Sequence, residues 1–477
     1  MLKSIFKILL ILTGLILIIL NESKAQNIND ALRLAVPGLG SNARALGMGN
    51  SYIGLSDDGS AAFFNPAGFG LLKRLELTGG LNYSNYNNDV EFFHQNTSYS
   101  NSNTELNRLS FAFPFPTLRG SLVFGLSYHT TKDLTSATKF DAFNNGNNSL
   151  IQDLLDTDIP FDLYLTDVDN NTPINGNLNQ SGSILNSGRI NNWTFSGAIE
   201  VYRNLFLGVN LNIISGNFKS VNDYYEDDTK NIYQGVTAAD EPQSEDFLSF
   251  YLSRILDWDI SGWDAKFGFL YQFEKYARFG LTVQFPKTYE INEKFLVDGW
   301  SEFGTGFSPT LNRDSYSDEV EYNIVTPIEL GAGFSYNFKG LIFSAQATII
   351  DYSQIEFNNE NGLSEQYAES INKDIKNQLR STVNYNVGIE YNIPNTNLRI
   401  RGGYFVQPSP YQGDASTFDR KYVTAGLGFL TDGTVGIDIA YARGWWKDFG
   451  DNYGSNVSRT FQDVTNNHFI ITGTYRF

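Results

Sequence analysis

The sequence predicts an all-β transmembrane protein, an antiparallel β-barrel of about fourteen strands whose lumen is plugged by a short helical segment at the amino end. Three observations predict it. From Arg74 onward apolar and polar residues alternate with period two, the links between alternating segments are short and long by turns, and the chain ends in mid-strand on Phe477. Transmembrane barrels combine short turns at one rim, long loops at the other, and strands whose side chains alternate between lipid and lumen.

The amino end reads as an export leader. Lys3 and Lys7 precede an uncharged run from Ile8 to Leu20 and then Ser23-Lys24-Ala25, so residues 1–25 form a signal peptide and Gln26 starts the mature chain. The other reading is an uncleaved anchor, but the run is shorter than the ~20 residues of a spanning helix. No later apolar stretch is long enough for a membrane helix, which excludes a helical inner-membrane protein.

Composition fits a barrel. Tyr and Phe number 27 and 37, more than a soluble core requires and suited to the aromatic girdles of a barrel. Gly, at 43, suits a tightly curved wall. With no Cys there is no disulfide, thiolate metal site or cysteine nucleophile. The formal charge is −18 and becomes more negative once Lys3, Lys7 and Lys24 leave with Glu22, which disfavours nucleic acid as a partner.

The strands follow from their links. Short links fall at 115–120, 202–204, 274–277, 337–340, 394–397 and 431–433. Longer polar links fall at roughly 87–105, 132–189, 224–257, 293–318, 357–380, 408–419 and 448–464. Six short and seven long links join fourteen strands, and an even number leaves both termini on the periplasmic side. Phase assigns the faces: Leu205, Leu207, Val209, Leu211 and Ile213 oppose Gly208, Asn210 and Asn212, and Val383, Tyr385, Val387, Ile389 and Tyr391 oppose Asn384, Asn386, Gly388 and Glu390. The apolar sets face lipid, where a mid-membrane Lys or Arg costs about 2–4 kcal/mol. The same phase sends Arg108, Lys266, Arg399 and Arg401 into the lumen with Glu76, Glu200, Asp264, Glu329, Glu390 and Asp438. Either these charges neutralise one another, or cations among them (Arg108, Lys266, Arg401) hold an anionic ligand head.

The tail His468–Phe477 places Phe469, Ile471, Tyr475 and Phe477 on one face and His468, Thr472, Thr474 and Arg476 on the other. It resembles the carboxyl-terminal assembly signal of bacterial outer-membrane barrels, with Gly473 where another apolar residue is usual. That resemblance implies recognition of the last strand by the barrel-assembly machinery and an outer-membrane location in a Gram-negative cell.

Residues 26–73 do not alternate. Asn29–Ala35, Ser41–Leu46 and Asp57–Phe64 read as short helical pieces broken by glycines, dense in small residues, and fit a plug better than a polar periplasmic linker. The run from Ala43 to Gly68, containing Asn65-Pro66-Ala67, resembles the amino-terminal hatch of the FadL/TodX outer-membrane transporters. Residue-level likeness is concentrated in 37–71. The resemblance implies three parts: leader 1–25, hatch 26–73 and barrel 74–477 with long extracellular loops. It also implies uptake of long-chain fatty acids or other hydrophobic compounds, by extracellular capture, a lumen site and lateral release through a gap at a kinked third strand. Gly120 and Gly125 would permit such a kink here.

Two long links contain apolar residues at helical spacing: Leu150, Ile151, Leu154 and Leu155, and Phe247, Leu248, Tyr251, Leu252, Ile255 and Leu256. They either pack on each other or form a groove (Leu150, Leu154, Phe247, Tyr251, Ile255) that first catches ligand. Tyr367, Ile371, Ile375 and Leu379 suit loop packing. Asp167, Asp169 and Asn171 lack the Gly and Glu of a calcium loop, and the acidic run Asp223, Glu226, Asp227 and Asp228 reads as a hydrated face. His94, His129 and His468 form no metal or catalytic motif, so no enzyme, metal or cofactor is expected. The expected partners are the outer-membrane bilayer, a hydrophobic small molecule and the assembly machinery, with the protein a monomer. A structural or secretion-accessory barrel that presents its loops to other proteins is the rival reading; a general porin is disfavoured by the hatch.

Overall fold

A computed structural model describes residues 27–274, 276–358, 362–454 and 456–477; the leader expected over residues 1–25 lies outside them. The wall is a closed antiparallel barrel of fourteen staves built from eighteen strand segments. In order these are β1 (Glu76–Phe92), β2 (Gln95–Phe115), β3 (Leu122–Asp133), β4 (Ser136–Asn144), β5 (Leu178–Tyr202), β6 (Leu205–Asp227) and β7 (Phe247–Phe273). There follow β8 (Ala277–Gln284), β9 (Thr288–Phe303), β10 (Ser317–Val325), β11 (Glu329–Phe338), β12 (Leu341–Asp351) and β13 (Glu356–Asn358). The last are β14 (Ser381–Asn392), β15 (Leu398–Gln407), β16 (Arg420–Thr431), β17 (Val435–Asp451) and β18 (Arg459–Arg476).

Four staves are interrupted: β3/β4, β8/β9, β10/β11 and β12/β13. Pro286 and Pro327 stand in the second and third breaks, where a residue without an N–H cannot continue a ladder. The barrel closes where β18 pairs with β1, from Glu76 opposite Arg476 to Glu91 opposite Phe461, and the Phe477 N–H donates to the Leu75 carbonyl (3.0 Å). The pairing of β18 with β1 therefore removes both sheet edges.

The expected faces hold. Val209, Leu211, Ile213, Val383, Tyr385 and Val387 are exposed on the outside, whereas Asn210, Asn212, Asn384, Asn386 and Glu390 are buried within. Tyr83, Trp193, Trp263 and Tyr385 crown the apolar band toward the long links, and Phe115, Tyr202, Phe338 and Tyr475 edge it near the short ones. All six short links are where the sequence placed them.

The long links differ from expectation, because several are largely strand. Residues 87–105 are the upper part of one hairpin, β1–β2, turned at Phe93 and His94 (φ 42° and 64°). Likewise β7 starts at Phe247, so Phe247, Tyr251 and Ile255 sit on a strand and not on a helix. The inner side of that extension is covered by loop residues, so both faces carry apolar groups and the period-two pattern is lost. Leu150–Asp153 is helical, and Glu365–Gln378 forms a fourteen-residue helix with Ile371 and Ile375 buried, as its spacing predicts.

Residues 27–73 run inside the barrel. α1 (Ile28–Ala35) begins at Asn27, whose side chain accepts from the N–H groups of Asn29 and Asp30 while Asp30 accepts from the Asn27 N–H. α2 (Ala43–Gly47) is capped by Asn42, and 3₁₀ turns at Gly59–Ala62 and Pro66–Leu71 are capped by Asp58 and Asn65. α1 packs with Phe218, Trp258, Ile291 and Ile324, in the half of the lumen away from the short links. The described part of the chain thus begins deep in the barrel at Asn27 and reaches the short-link rim at Phe477.

Candidate ligand cavity and wall opening

The hatch is fixed to strands around the wall by backbone contact and buried charge. Asn65 Nδ2 donates to the Ile53 carbonyl (2.9 Å) within the hatch and to the Phe269 carbonyl (3.0 Å) of β7. Its Oδ1 accepts from the Ala67 N–H (3.1 Å), and Pro66 opens the turn with its φ already set. Asn65-Pro66-Ala67 is therefore a stitch between plug and wall. Wall glycines make room for it: a Cβ at Gly268 would lie 2.2 Å from Asn65 Oδ1, and one at Gly388 2.1 Å from the Met48 carbonyl.

The charges complete the attachment. Hatch Arg44 meets Glu390 of β14 through Nε (2.9 Å) and Nη2 (3.1 Å), and Glu390 also accepts from Arg401 Nε (2.6 Å). Arg401 continues to Asp438 (2.6 Å), while Asp57 joins Arg44 (2.5 Å) to Arg278 of β8 (2.9 Å). Glu76 accepts from Arg476 (2.8 Å) and from the Gly59 N–H (2.6 Å). Four of the ten lumen charges predicted from phase, Glu76, Glu390, Arg401 and Asp438, are engaged here in neutralisation and hatch seating.

Above this layer lies a cavity of about 140 Å³. The hatch contributes Leu34, Val36, Ile53, Phe63 and Phe64; the wall contributes His129, Lys132, Asp264, Lys266, Lys287, Glu329 and Phe405. Lys287 pairs with Glu329 (2.6 Å). Lys266 instead donates to the Phe63 carbonyl (2.6 Å), and Lys132 to the Val36 carbonyl. Among the described residues neither has a carboxylate within ion-pair distance. Two ammonium groups facing one cavity and bound only to carbonyls can accept an anionic head group at little cost in broken ion pairs.

Of the three cations nominated from sequence, the structure brings only Lys266 to this cavity. Arg401 is enclosed by Glu390 and Asp438. Arg108 is fully buried beside Gly59 and Ser110 at the hatch, below the cavity, with Nε and Nη2 making no hydrogen bond to the protein. Lys132 and Lys287 are not among the sequence candidates: the former falls at the start of the long link 132–189 and the latter just past Pro286. A lysine next to a proline that breaks an otherwise apolar strand is the signal that could have found Lys287.

The five residues of the suggested capture groove lie outside the cavity, around the long-link end. Leu150, Leu154 and Phe247 are buried in one external cluster with Ile151, Phe250 and Phe303, while Tyr251 and Ile255 are partly exposed on β7. The cluster roofs the barrel, and Glu226, expected to be hydrated, is its polar centre. It accepts from Ser149 (2.5 Å), the Leu150 N–H (2.8 Å), Gln180 (2.9 Å) and Tyr224 (3.0 Å).

The hydrogen-bond ladder of the wall is interrupted beside the cavity. Pairing of β2 with β3 runs from Phe115–Leu122 up to Arg108–His129 and stops. There β3 bulges between Thr130 and Lys132, and β4 continues pairing with β5 alone while leaning inward over β1, where Asn88 Nδ2 donates to the Ala137 carbonyl (3.0 Å). The third stave is kinked, but at 130–135 rather than at Gly120 or Gly125. Hatch Gly38 abuts the bend, since a Cβ there would fall 2.0 Å from the Thr131 carbonyl. Lys132, on the bend, thus touches cavity, hatch and opening together.

Comparison with known proteins agrees with this architecture. The sequence model of a family described as outer membrane protein transport protein (OMPP1/FadL/TodX) matches residues 189–477. No curated protein matches in sequence. A Pseudomonas aeruginosa FadL homologue superposes with a TM-score of 0.59 at 14% identity, covering 93% of this chain and 100% of that one. The P. putida toluene transporter TodX gives 0.56 at 12%, covering 92% and 99%. The Ralstonia pickettii toluene transporter TbuX gives 0.50 at 15%, covering 92% and 99%. At such identities the likeness is one of fold.

Proposed function

Because the chain belongs to the OMPP1/FadL/TodX family of outer-membrane transport proteins, we propose that it takes up hydrophobic small molecules bearing an acidic head, long-chain fatty acids among them. In this reading the short-link rim with Phe477 is periplasmic, the cell is Gram-negative, and the last strand is the part the assembly machinery recognises. The protein works as a monomer. Ligand enters through the roof around Leu150, Leu154, Phe247, Tyr251 and Ile255, rests with its head between Lys266 and Lys132, and leaves sideways at the bend of β3.

The observation that carries this reading is the pair of lysines bonded to carbonyls, Lys266 and Lys132, in a cavity to which the hatch adds Leu34, Val36, Phe63 and Phe64 opposite a polar wall that includes Asp264 and Glu329. A void near 150 Å³ accommodates a benzene-sized body, so the present cavity suits a ring or the first carbons of a chain. A long acyl tail requires α1, which supplies Leu34 to the roof of the cavity, to shift. In a host lacking such a transporter, uptake of oleate and of toluene separates head from tail. Lys266→Met should cut oleate uptake at least tenfold and leave toluene uptake within twofold. Equal loss of both would refute the head-group role.

A further inference from the structure

Above the Arg108–His129 pair, the strand that faces β2 across the opening is β5, and two contacts span the space between them. Asn101 Nδ2 donates to the Asn186 carbonyl (3.2 Å), and Arg189 Nη1 stands 3.5 Å from Glu105 Oε2. The phases of the second pair are opposite. On β5 the unbroken register with β6 puts Arg189 on the outer face with Trp193 and Phe195, and its side chain is 46% exposed. On β2 Glu105 lies opposite Asn82 on the inner face, and its side chain is 2% exposed. A guanidinium that starts outside the wall and meets a carboxylate inside it must pass between the strands.

The upper part of β2, at the level of Tyr83 and Leu106, makes no backbone ladder on this side. Unsatisfied edges are costly near lipid. A charged side chain laid through the opening covers them and blocks it. Glu105 is also buried next to the bend, which carries Asp133 into the same region, where Ser84 donates to it.

We propose that Arg189 and Glu105 form the latch of the lateral opening, holding β5 against β2 and releasing when ligand displaces the bend of β3. The inference rests on the lateral-release reading for its purpose, but its geometry can be tested without transport. The absence of cysteine makes a single probe clean. Thr131→Cys places a thiol at the bend, and in liposomes its reaction with a lipid-soluble maleimide reports access from the membrane.

Arg189→Met should raise the labelling rate at least fivefold. So should Glu105→Gln with Arg189→Met, in which no buried charge is stranded. Arg189→Lys, which keeps the charge, should stay within twofold of the parent. A rise below fivefold in both neutral variants, or an equal rise with Arg189→Lys, would overturn the latch. Raised labelling with unchanged oleate uptake would support the latch and count against lateral release, so the two readings fail separately.

Discussion

Replacing Glu390 with Gln should loosen the hatch, and the size of the effect can be worked from its contacts. The Glu390 carboxylate receives two hydrogen bonds from Arg44 and one from Arg401, and both guanidinium groups are almost inaccessible to solvent. Removing one partner of a buried ion pair costs about 3–5 kcal/mol, because the remaining charge is left uncompensated. Here Arg44 keeps Asp57 and Arg401 keeps Asp438, so the lower end of that range applies. At about 1.4 kcal/mol per factor of ten, the population with an unseated hatch rises roughly a hundredfold.

Gln fills nearly the same volume, so the barrel wall should be unchanged. The assay is conductance in planar bilayers. The parent should be almost closed, and Glu390→Gln should show brief openings whose frequency exceeds the parent's by about two orders of magnitude. Arg44→Met should do the same, and the double variant should be no worse than the worse single one, since the two residues share one interaction. Parental conductance in both single variants would refute the claim that this pair seats the hatch.

Two other predictions follow from packing and titration. Gly388→Val should prevent seating altogether, because its Cβ would collide with the Met48 carbonyl; a steady open pore and rapid cleavage of residues 27–73 by added protease would show it, and a closed, protease-resistant protein would contradict it. In the external roof, burial pushes the Glu226 carboxyl above its ordinary range despite the donors around it. The folded roof then binds a proton that the unfolded chain releases, so its stability is greatest below the ordinary carboxylate pKa and falls as pH rises through the raised value. Limited proteolysis of residues 145–177 should therefore be slower at pH 5 than at pH 7, and Glu226→Gln should remove the difference. Faster cleavage at pH 5 in the parent would refute it.

What the sequence reveals follows the energetics of each region. Lipid contact imposes a strict period of two, so the outer faces of β6, β8 and β14 and all six short links are legible from it. Above the membrane that constraint vanishes. The β1–β2 hairpin turns at Phe93 and His94, neither of which advertises a left-handed turn, and so reads as a loop. On β7, Phe247 to Ile255 meets the roof on one side and neighbouring strands on the other, and the alternation dissolves into helix-like spacing. Lumen charges are visible as such from phase, but their partners are not: Arg401 and Lys266 look alike in sequence, and only the fold shows one enclosed by carboxylates and the other bound to a carbonyl. The bend of β3 has no sequence marker at Thr130–Lys132; it shows only in the bulge there and in the close approach of hatch Gly38 to the Thr131 carbonyl.

The most direct measurement is the mass spectrum of what leaves the lumen of the purified, intact protein. Uptake of hydrophobic acids predicts one carboxylate-bearing hydrophobic molecule per chain, lost when Lys132 and Lys266 are both changed to Met and regained by neither apolar nor cationic additives. A lumen that yields no such molecule, with other proteins recovered on the external loops instead, would contradict the account and favour an accessory barrel.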